Sequence, residues 1–164
     1  ILARRQRQMC IRDRKKSITF GPNIKSAHFR TIISGWGHAT PADSDGRACA
    51  EWCFRTHKIK INNVNKFSHY MGPIGCGSNP ISNQAGNWVP DRAGWCPGMV
   101  VPVRIDKFDS DVSNSTLNFE YYFQPWTNNF VGTPGYNNKN AYNAISSFII
   151  LKSDQQIEPA TISN

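Results

Sequence analysis

Short runs of alternating apolar and polar residues dominate this chain, and clusters of glycine, proline and asparagine separate one run from the next. Alternation with a period of two gives a strand one apolar face, so these runs predict β-strands rather than helices. The predicted strands cover residues 28–33, 56–61, 66–70, 100–105, 117–123 and 144–151. The second and third predict a hairpin across Asn62-Asn63. The last is almost continuously apolar, which predicts a central strand.

This pattern predicts the all-β fold class and one β-sandwich domain over residues 15–153. Residues 1–14 have no apolar period, resemble a translated sequencing adapter, and are predicted to be a non-native leader outside the fold. Residues 154–164 are predicted to be a disordered tail. Because the chain starts at Ile1 rather than Met, we expect the native amino terminus and any export signal to lie upstream. No run is apolar enough to span a membrane.

The net charge of +8 is concentrated at the amino terminus. Residues 1–16 contain seven Lys and Arg and one Asp, so the remaining 148 residues carry a net charge of only +2. A groove for nucleic acid needs Lys and Arg spread over a folded face, and the body of the chain lacks them. We therefore expect no nucleic-acid partner.

Four cysteines lie in the body of the chain, Cys49, Cys53, Cys76 and Cys96, while Cys10 belongs to the predicted leader. An even number of cysteines in a loop-rich domain is typical of an oxidised, exported protein. A four-thiolate zinc site is the alternative, but the paired C-x-x-C spacing of such sites is absent. The pattern favours disulfides and a secreted or periplasmic location.

Glu51 has unusual neighbours for a carboxylate, because it lies inside the segment Cys49-Ala50-Glu51-Trp52-Cys53. A tight ring there would fix the backbone of Glu51, and Trp52 would shield its carboxylate from water. These properties suit a pre-positioned acid. The alternative is a structural role, in which Glu51 pairs with an arginine at the surface.

Trp36 and the segment 87–97 suggest a surface that binds saccharides. Tryptophan faces stack on the apolar faces of sugar rings, and a neighbouring side chain such as Arg92 can bind hydroxyl groups. Glycines on both sides of Trp36 permit close approach of a ligand to the backbone. For Trp88 and Trp95 the alternative is a place in the hydrophobic core.

The histidines do not form a metal-binding pattern. No two of His28, His38, His57 and His69 have the H-x-H or H-x-x-x-H spacing of a copper or zinc site. A serine nucleophile elbow and a glycine-rich phosphate loop are also absent from the sequence. We therefore expect no metal and no cofactor.

Four segments carry the most distinctive patterns of the chain. They are residues 33–39 (ISGWGHA), 49–57 (CAEWCFRTH), 90–99 (PDRAGWCPGM) and 144–148 (AISSF). Together they resemble the carboxy-terminal domain of the peptide-N-glycosidase F family. The resemblance runs from about residue 15 to near the end of the chain, although residues 130–140 look longer than the family's loop. It implies a jelly-roll β-sandwich, the second of two such domains with the active site in the cleft between them.

The resemblance also implies an activity. The family hydrolyses the Asn side-chain amide that links an N-glycan to its protein, leaving aspartate and a glycosylamine. Its essential aspartate lies in the first domain and matches no residue here, so we expect the isolated chain to be inactive. The implied partners are an N-linked glycoprotein or glycopeptide and an amino-terminal jelly-roll domain in the same polypeptide. We expect the protein to be a monomer.

Residue by residue, Glu51 matches the catalytic glutamate that the second domain contributes, which orients the substrate and a water network. The residues implied to contact or line the glycan site are Trp36, Arg92, Trp52 and Trp95. The disulfides implied are Cys49–Cys53 and Cys76–Cys96.

Two other functions remain open at this point. A non-catalytic glycan-binding module would use the same tryptophans. The fold also resembles that of copper-dependent peptidylglycine hydroxylating monooxygenase, although the paired histidines of a copper site are missing.

Overall fold

The structure, a computed structural model, is a jelly-roll sandwich of two antiparallel sheets, and it describes residues 4–6, 15–78, 90–108, 110–127 and 141–163. Its strands are β1 (Arg4–Gln6), β2 (Lys15–Thr19), β3 (Ser26–Trp36), β4 (Arg55–Ile61), β5 (Val64–Met71), β6 (Val103–Lys107), β7 (Thr116–Phe123), β8 (Tyr142–Lys152) and β9 (Thr161–Ser163). A single 3-10 turn, Cys76–Ser78, is the only helical element in these ranges. None of the described residues belongs to a helix that is long and apolar enough to cross a membrane.

The two sheets have four and five strands. The four-stranded sheet has the order β1-β8-β3-β6 and the five-stranded sheet the order β5-β4-β7-β2-β9. The longest ladder joins β3 to β8 in an unbroken register from Ser26↔Lys152 to Trp36↔Tyr142. It holds the end of β3, where the candidate site lies, against the start of β8.

All six strands predicted from the alternation are present. The predicted hairpin is β4 and β5, and it turns through Asn62 and Asn63 with φ of 51° and 66°, the left-handed region that a two-residue hairpin loop needs. The strand predicted at 100–105 begins later, at Val103, because Pro102 has no N–H to donate to a ladder. The apolar β8 lies inside its sheet, between β1 and β3, as predicted.

Two short strands lie outside the predicted domain bounds of residues 15–153. Arg4–Gln6, assigned to a leader outside the fold, forms β1 and pairs with β8. Thr161–Ser163, assigned to a disordered tail, forms β9 and pairs with β2. Each strand has only three residues. Their backbones bond to the edge of an existing sheet, which requires no apolar period in their own sequence.

The core between the sheets has an aromatic end and a smaller end below the candidate site. At the aromatic end Phe29 stacks on Phe119, and both belong to a large cluster of buried side chains. At the other end Ile33 and Met71 form a small cluster with the buried Ala93. Tyr121 packs against both clusters and so connects them.

Polar side chains also enter the space between the sheets. His57 on β4 is 3% exposed, and its Nδ1 forms a hydrogen bond of 2.7 Å with the hydroxyl of Tyr121. His69 lies opposite His57 on β5 and its Nε2 is 2.8 Å from a carboxylate oxygen of Asp106 on β6. Because burial disfavours the imidazolium form, the pKa of His57 is lowered to about 3.

Candidate functional site

Three segments meet at one end of the sandwich and form the candidate site. The first is the end of β3 with the residues that follow it, the second is the ring closed by Cys49 and Cys53, and the third is the loop 90–98 that precedes β6. Backbone hydrogen bonds join the three. The N–H of Glu51 donates to Gly37 O (3.2 Å), and the N–H of Ala93 donates to Glu51 O (2.9 Å).

The Cys49–Cys53 disulfide is formed, as the resemblance implies, and both of its cysteines are 2% exposed. The ring that it closes, residues 49–53, packs directly on the end of β3. A Cβ atom at Gly35 would lie 2.0 Å from the carbonyl oxygen of Ala50. The close approach that glycine allows beside Trp36 is therefore filled, at Gly35, by the ring backbone rather than by a ligand.

Replacing Gly35 with alanine should displace this ring and lower the free energy of unfolding by about 1–3 kcal/mol, the usual cost of overpacking a buried position. Chemical denaturation of the two chains measures the difference. Gly77→Ala is the matched control, because its Cβ would meet no atom within 4 Å. A Gly35→Ala chain as stable as the Gly77→Ala chain would show that the ring does not rest on β3.

Glu51 is held by two basic side chains. Its Oε1 accepts a hydrogen bond from Nε of Arg92 at 2.5 Å, and its Oε2 lies 3.4 Å from Nε2 of His38. The Glu51 side chain is 14% exposed and that of Arg92 only 6%. Glu51 thus pairs with an arginine, as the structural alternative proposed, but the pair lies inside the site and not at the surface.

Arg92 is enclosed by aromatic rings. Its guanidinium carbon lies 4.5 Å from the ring centre of Trp52 and 5.4 Å from that of Trp95. Attraction between a cation and a ring face is strongest where water is excluded. The two indoles therefore fix the guanidinium of Arg92, which in turn fixes the carboxylate of Glu51.

Trp36 presents the accessible aromatic surface of the site. It is 41% exposed, and its ring centre lies 4.6 Å from that of Trp95, which is only 6% exposed. Hydrogen bonds fix both indoles, because Trp36 Nε1 donates to Ser34 Oγ and Trp95 Nε1 donates to Gly35 O. Trp95 is therefore buried, as the alternative of a place in the hydrophobic core proposed. Trp36 keeps an exposed surface that can stack on a ligand.

A second ion pair lies beside the ring that the Cys49–Cys53 disulfide closes. Nη2 of Arg55 lies 2.9 Å from Oδ2 of Asp43, and Oδ1 of Asp43 accepts a hydrogen bond from the N–H of Arg47. Burial alone would raise the pKa of Asp43, but its hydrogen bonds with Asp45, Arg47 and Arg55 hold that pKa below the ordinary value. Asp43 therefore carries its charge in the folded state and ties residues 43–55 together.

The Cys76–Cys96 disulfide anchors the third segment, again as the resemblance implies. Oδ1 of Asp91 accepts a hydrogen bond from the N–H of Cys76 at 2.7 Å, so Asp91 has a structural partner at the 3-10 turn. Trp88, also named as a saccharide candidate, lies outside the described residues, as does the long loop at 130–140.

One group of potential metal ligands occurs among the described residues: Asp43, Cys49 and Cys53. The two sulfur atoms are bonded to each other, so this group offers no thiolate to a metal. His57 and His69 face each other across β4 and β5, but each has a nitrogen engaged by Tyr121 or Asp106. These contacts give the copper hypothesis no structural support.

The geometry assembles an anionic acceptor beside an exposed aromatic face. A carboxylate fixed by Arg92 can accept hydrogen bonds from a hydroxyl group, an amide N–H or a water molecule. The face of Trp36 can stack on the apolar face of a sugar ring. An imidazole, that of His38, stands at the outer side of Glu51, where its ring edge also meets Trp52.

The structure brings all five predicted site residues together: Trp36, Glu51, Trp52, Arg92 and Trp95. His38 was not among the predicted site residues, because histidines were considered only as metal ligands. The position of His38 two residues after Trp36 was the available signal. Asp43 and Arg55 were not predicted either, because their pairing across the cysteine ring leaves no pattern in the sequence.

Comparison with known proteins places the chain in a family. The family described as "Peptide-N-glycosidase F, C terminal" matches residues 6–150. The peptide-N(4)-(N-acetyl-beta-D-glucosaminyl)asparagine amidase F of Elizabethkingia miricola is 55% identical over 151 residues, which are 92% of this chain and 41% of that protein. This chain therefore spans less than half the length of that relative.

Solved structures agree with this match. PNGase F, a glycosylasparaginase from Flavobacterium meningosepticum, is 52% identical with a TM-score of 0.82, and the match covers 97% of this chain and 49% of that one. PNGF-II is 15% identical with a TM-score of 0.61 over 87% of this chain and 25% of its own, and it shares the fold alone. On the family match and these identities, the chain belongs to the family of peptide-N-glycosidase F carboxy-terminal domains.

Proposed function

We propose that this chain is the carboxy-terminal part of an amidase that hydrolyses the Asn side-chain amide linking an N-glycan to its protein. The observation that carries the proposal is the placement of Glu51 between Arg92 and His38, beside the exposed face of Trp36. In this function Glu51 is the catalytic glutamate of the domain. It orients the substrate and the attacking water, while Trp36 stacks on the sugar nearest the asparagine.

Arg92, Trp52 and Trp95 have positioning roles in this proposal. Arg92 fixes one oxygen of Glu51, and the two indoles enclose the guanidinium group. Because the carboxylate is already oriented, the site needs little rearrangement when water adds to the amide carbon and the carbonyl oxygen becomes an oxyanion. The side chains therefore contribute by being rigid.

The remaining catalytic group is expected from the amino-terminal domain of the same polypeptide, which by the resemblance carries the essential aspartate. The proposed substrate is an N-linked glycoprotein or glycopeptide, and no metal or cofactor is required. The two disulfides favour a secreted or periplasmic location. The division of the site between two domains predicts that this chain alone binds the core of an N-glycan weakly and releases no glycan.

A fusion protein tests the proposed function. The part of the Elizabethkingia miricola amidase that this chain does not match is joined ahead of the chain, and a denatured N-glycosylated protein is the substrate. We expect glycan release by the fusion, seen as a shift in gel mobility and a gain of one aspartate by mass spectrometry, and none by the chain alone. Release by the chain alone, or none by a folded fusion, would contradict the proposal.

In the same fusion, Glu51→Gln should lower the rate of release by about 100-fold, because a positioned acid typically contributes that much or more to the rate. Glu158→Gln changes an exposed glutamate in the carboxy-terminal segment and should leave the rate unchanged. Equal rates for the two variants would remove Glu51 from the chemistry.

A further inference from the structure

One nitrogen of Arg55 needs a partner that the described part of the chain does not supply. Nη1 of Arg55 donates to Phe54 O and Nη2 lies against Asp43 Oδ2, both at 2.9 Å. Its Nε is buried and has no hydrogen-bond partner among the described residues. A buried N–H without a partner costs free energy, and nearly all such groups in native proteins bond to protein or to an ordered water. The Nε of Arg55 therefore indicates a binding site for a small polar molecule.

A cavity of matching size lies beside Arg55, between β4, β8 and the ring of residues 49–53. It offers about 10 Å³ of space to the centre of a water molecule, close to the roughly 10–15 Å³ that a single water needs. Six of the residues that line it carry the argument: Ala50, Cys53, Arg55, His57, Ala93 and Asn143. The cavity admits one water molecule and nothing as large as a sugar.

The charges around the cavity favour a neutral occupant. The guanidinium of Arg55 repels a cation, and its own charge is already offset by Asp43 at 2.9 Å, so no anion is required. A water molecule accepts a hydrogen bond from Nε and has two protons left to donate. The occupant that fits both the size and the charge of the cavity is therefore water.

Asn143 supplies an acceptor for one of these protons. It lies opposite Gly35 in the ladder of β3 and β8, and its Oδ1 is 3.3 Å from the place that a Cβ of Gly35 would occupy. The carbonyl oxygen of Ala50 lies against the same place. The amide of Asn143 therefore stands beside the ring, on the inner side of its sheet and in the lining of the cavity.

His57 completes the polar lining. Its Nδ1 is bonded to Tyr121, and the other ring nitrogen can bond to the water in either neutral tautomer, because water both donates and accepts. One fixed water supplies far less hydration than bulk solvent, so it does not relieve the burial that lowers the pKa of His57 to about 3.

Two residues that line the cavity are in direct contact with the backbone of Glu51. Ala50 precedes Glu51 in the ring, and Ala93 donates its N–H to Glu51 O at 2.9 Å. Arg55 belongs to β4 of the five-stranded sheet and Asn143 to β8 of the four-stranded sheet. A molecule bonded to both side chains would therefore tie the two sheets together where they support the ring.

We infer that the cavity is the binding site of one ordered water molecule, which bridges Nε of Arg55 and the side-chain amide of Asn143, and that Asn143 is thereby a positioning residue for Glu51. The role of Asn143 rests on the proposed function, because it requires that Glu51 takes part in the amidase reaction. The presence of the water does not depend on that function. The inference adds a support for Glu51 that comes from the interior of the sandwich.

A crystal structure of the chain, at a resolution that shows ordered solvent, tests for the water. We expect a water oxygen within about 3.2 Å of both Arg55 Nε and the Asn143 amide. Asn143→Leu keeps the branched shape of the side chain but cannot form hydrogen bonds, so this variant should lack that water. Asn118→Leu makes the same exchange at an exposed position of β7 and should keep it. A native cavity without water, or a water that remains in Asn143→Leu, would overturn the inference.

Hydrogen exchange of the chain tests whether the water fixes the ring. In Asn143→Leu the N–H of Ala93 should exchange at least about tenfold faster, because its acceptor, Glu51 O, moves with the ring. The N–H of Phe108, which donates to Ala27 O at 3.0 Å, should be unaffected and so excludes a general loss of stability. Asn143→Asp keeps a side-chain acceptor and should restore slow exchange at Ala93. Native exchange at Ala93 in Asn143→Leu would contradict the positioning role.

The fusion described above tests the same role in catalysis. Asn143→Leu should lower kcat of glycan release about tenfold and leave KM nearly unchanged, because a displaced Glu51 affects the reaction more than the binding of the glycan. Asn143→Asp should recover most of kcat, and Asn118→Leu should match the native fusion. An Asn143→Leu fusion with native kcat would overturn the role of Asn143. An inactive native fusion would instead refute the proposed function, and the crystal structures and hydrogen exchange would still decide the inference.

Discussion

An Arg92→Ala chain should be less stable than the native chain by about 3–5 kcal/mol, because the substitution leaves the carboxylate of Glu51 enclosed without its strongest partner. It should also lose the packing of the guanidinium between Trp52 and Trp95. Urea denaturation followed by tryptophan fluorescence measures the change. Lys25→Ala removes a comparable contact at the surface, the 2.7 Å ion pair with Asp154. That control should cost much less, because both of its side chains are exposed to water.

The double variant separates charge from packing. If the penalty comes from an uncompensated carboxylate, adding Glu51→Gln to Arg92→Ala should recover part of the lost stability. If the two substitutions add without recovery, the loss belongs to the aromatic packing instead. An Arg92→Ala chain as stable as the Lys25→Ala chain would contradict the view that the pair is enclosed.

Acidification between pH 7 and pH 4.5 should lower the free energy of unfolding by about 2–3 kcal/mol through His57 alone. In the folded protein burial lowers the pKa of His57 to about 3, whereas the unfolded chain has the ordinary value of 6.5. Below pH 6.5 the unfolded state binds a proton that the folded state does not accept until about pH 3. Stability is therefore lost progressively as the pH falls through this window.

Denaturation at a series of pH values measures this slope, and His57→Gln is the control because Gln can keep a hydrogen bond to Tyr121 without titrating. His69 acts in the same direction, since burial lowers its pKa although Asp106 partly opposes the shift. Asp43 adds little above pH 4.5, because its pKa is lowered from 3.8. A native chain whose stability is flat over this range would show that His57 is hydrated or already protonated.

The six strands could be predicted because each has its own local alternation of apolar and polar residues. The hairpin of β4 and β5 could be located from Thr56-His57-Lys58-Ile59 and the two asparagines, since the period and the turn are both local. β1 and β9 could not, because each is held by hydrogen bonds to a strand that is distant in the sequence. The sequence of β8 also does not show which of its side chains point into the core, because the strand is apolar at most positions.

The candidate site was predictable where its residues are close in sequence. Glu51 and Trp52 stand between two cysteines, and Arg92 and Trp95 share one segment, so their resemblance to a family was readable. The distance of 2.5 Å between Glu51 and Arg92 depends on a contact across 41 positions of the chain. Contacts between distant segments also determine that Trp95 is buried, that Asp43 supports the cysteine ring and where His38 lies. No local sequence pattern predicts these three features.

Because side chains alternate between the two faces of β3, the packing of the core and the orientation of Trp36 depend on the same strand register. One strand supplies Phe29 and Ile33 to the interior and, at its end, Trp36 to the ligand side. Inserting or deleting one residue between Ile33 and Trp36 would turn the indole toward the interior, because neighbouring positions face opposite ways. Variation among relatives should therefore be tolerated as exchanges of side chain on β3, while changes of length are confined to the loops beyond its ends.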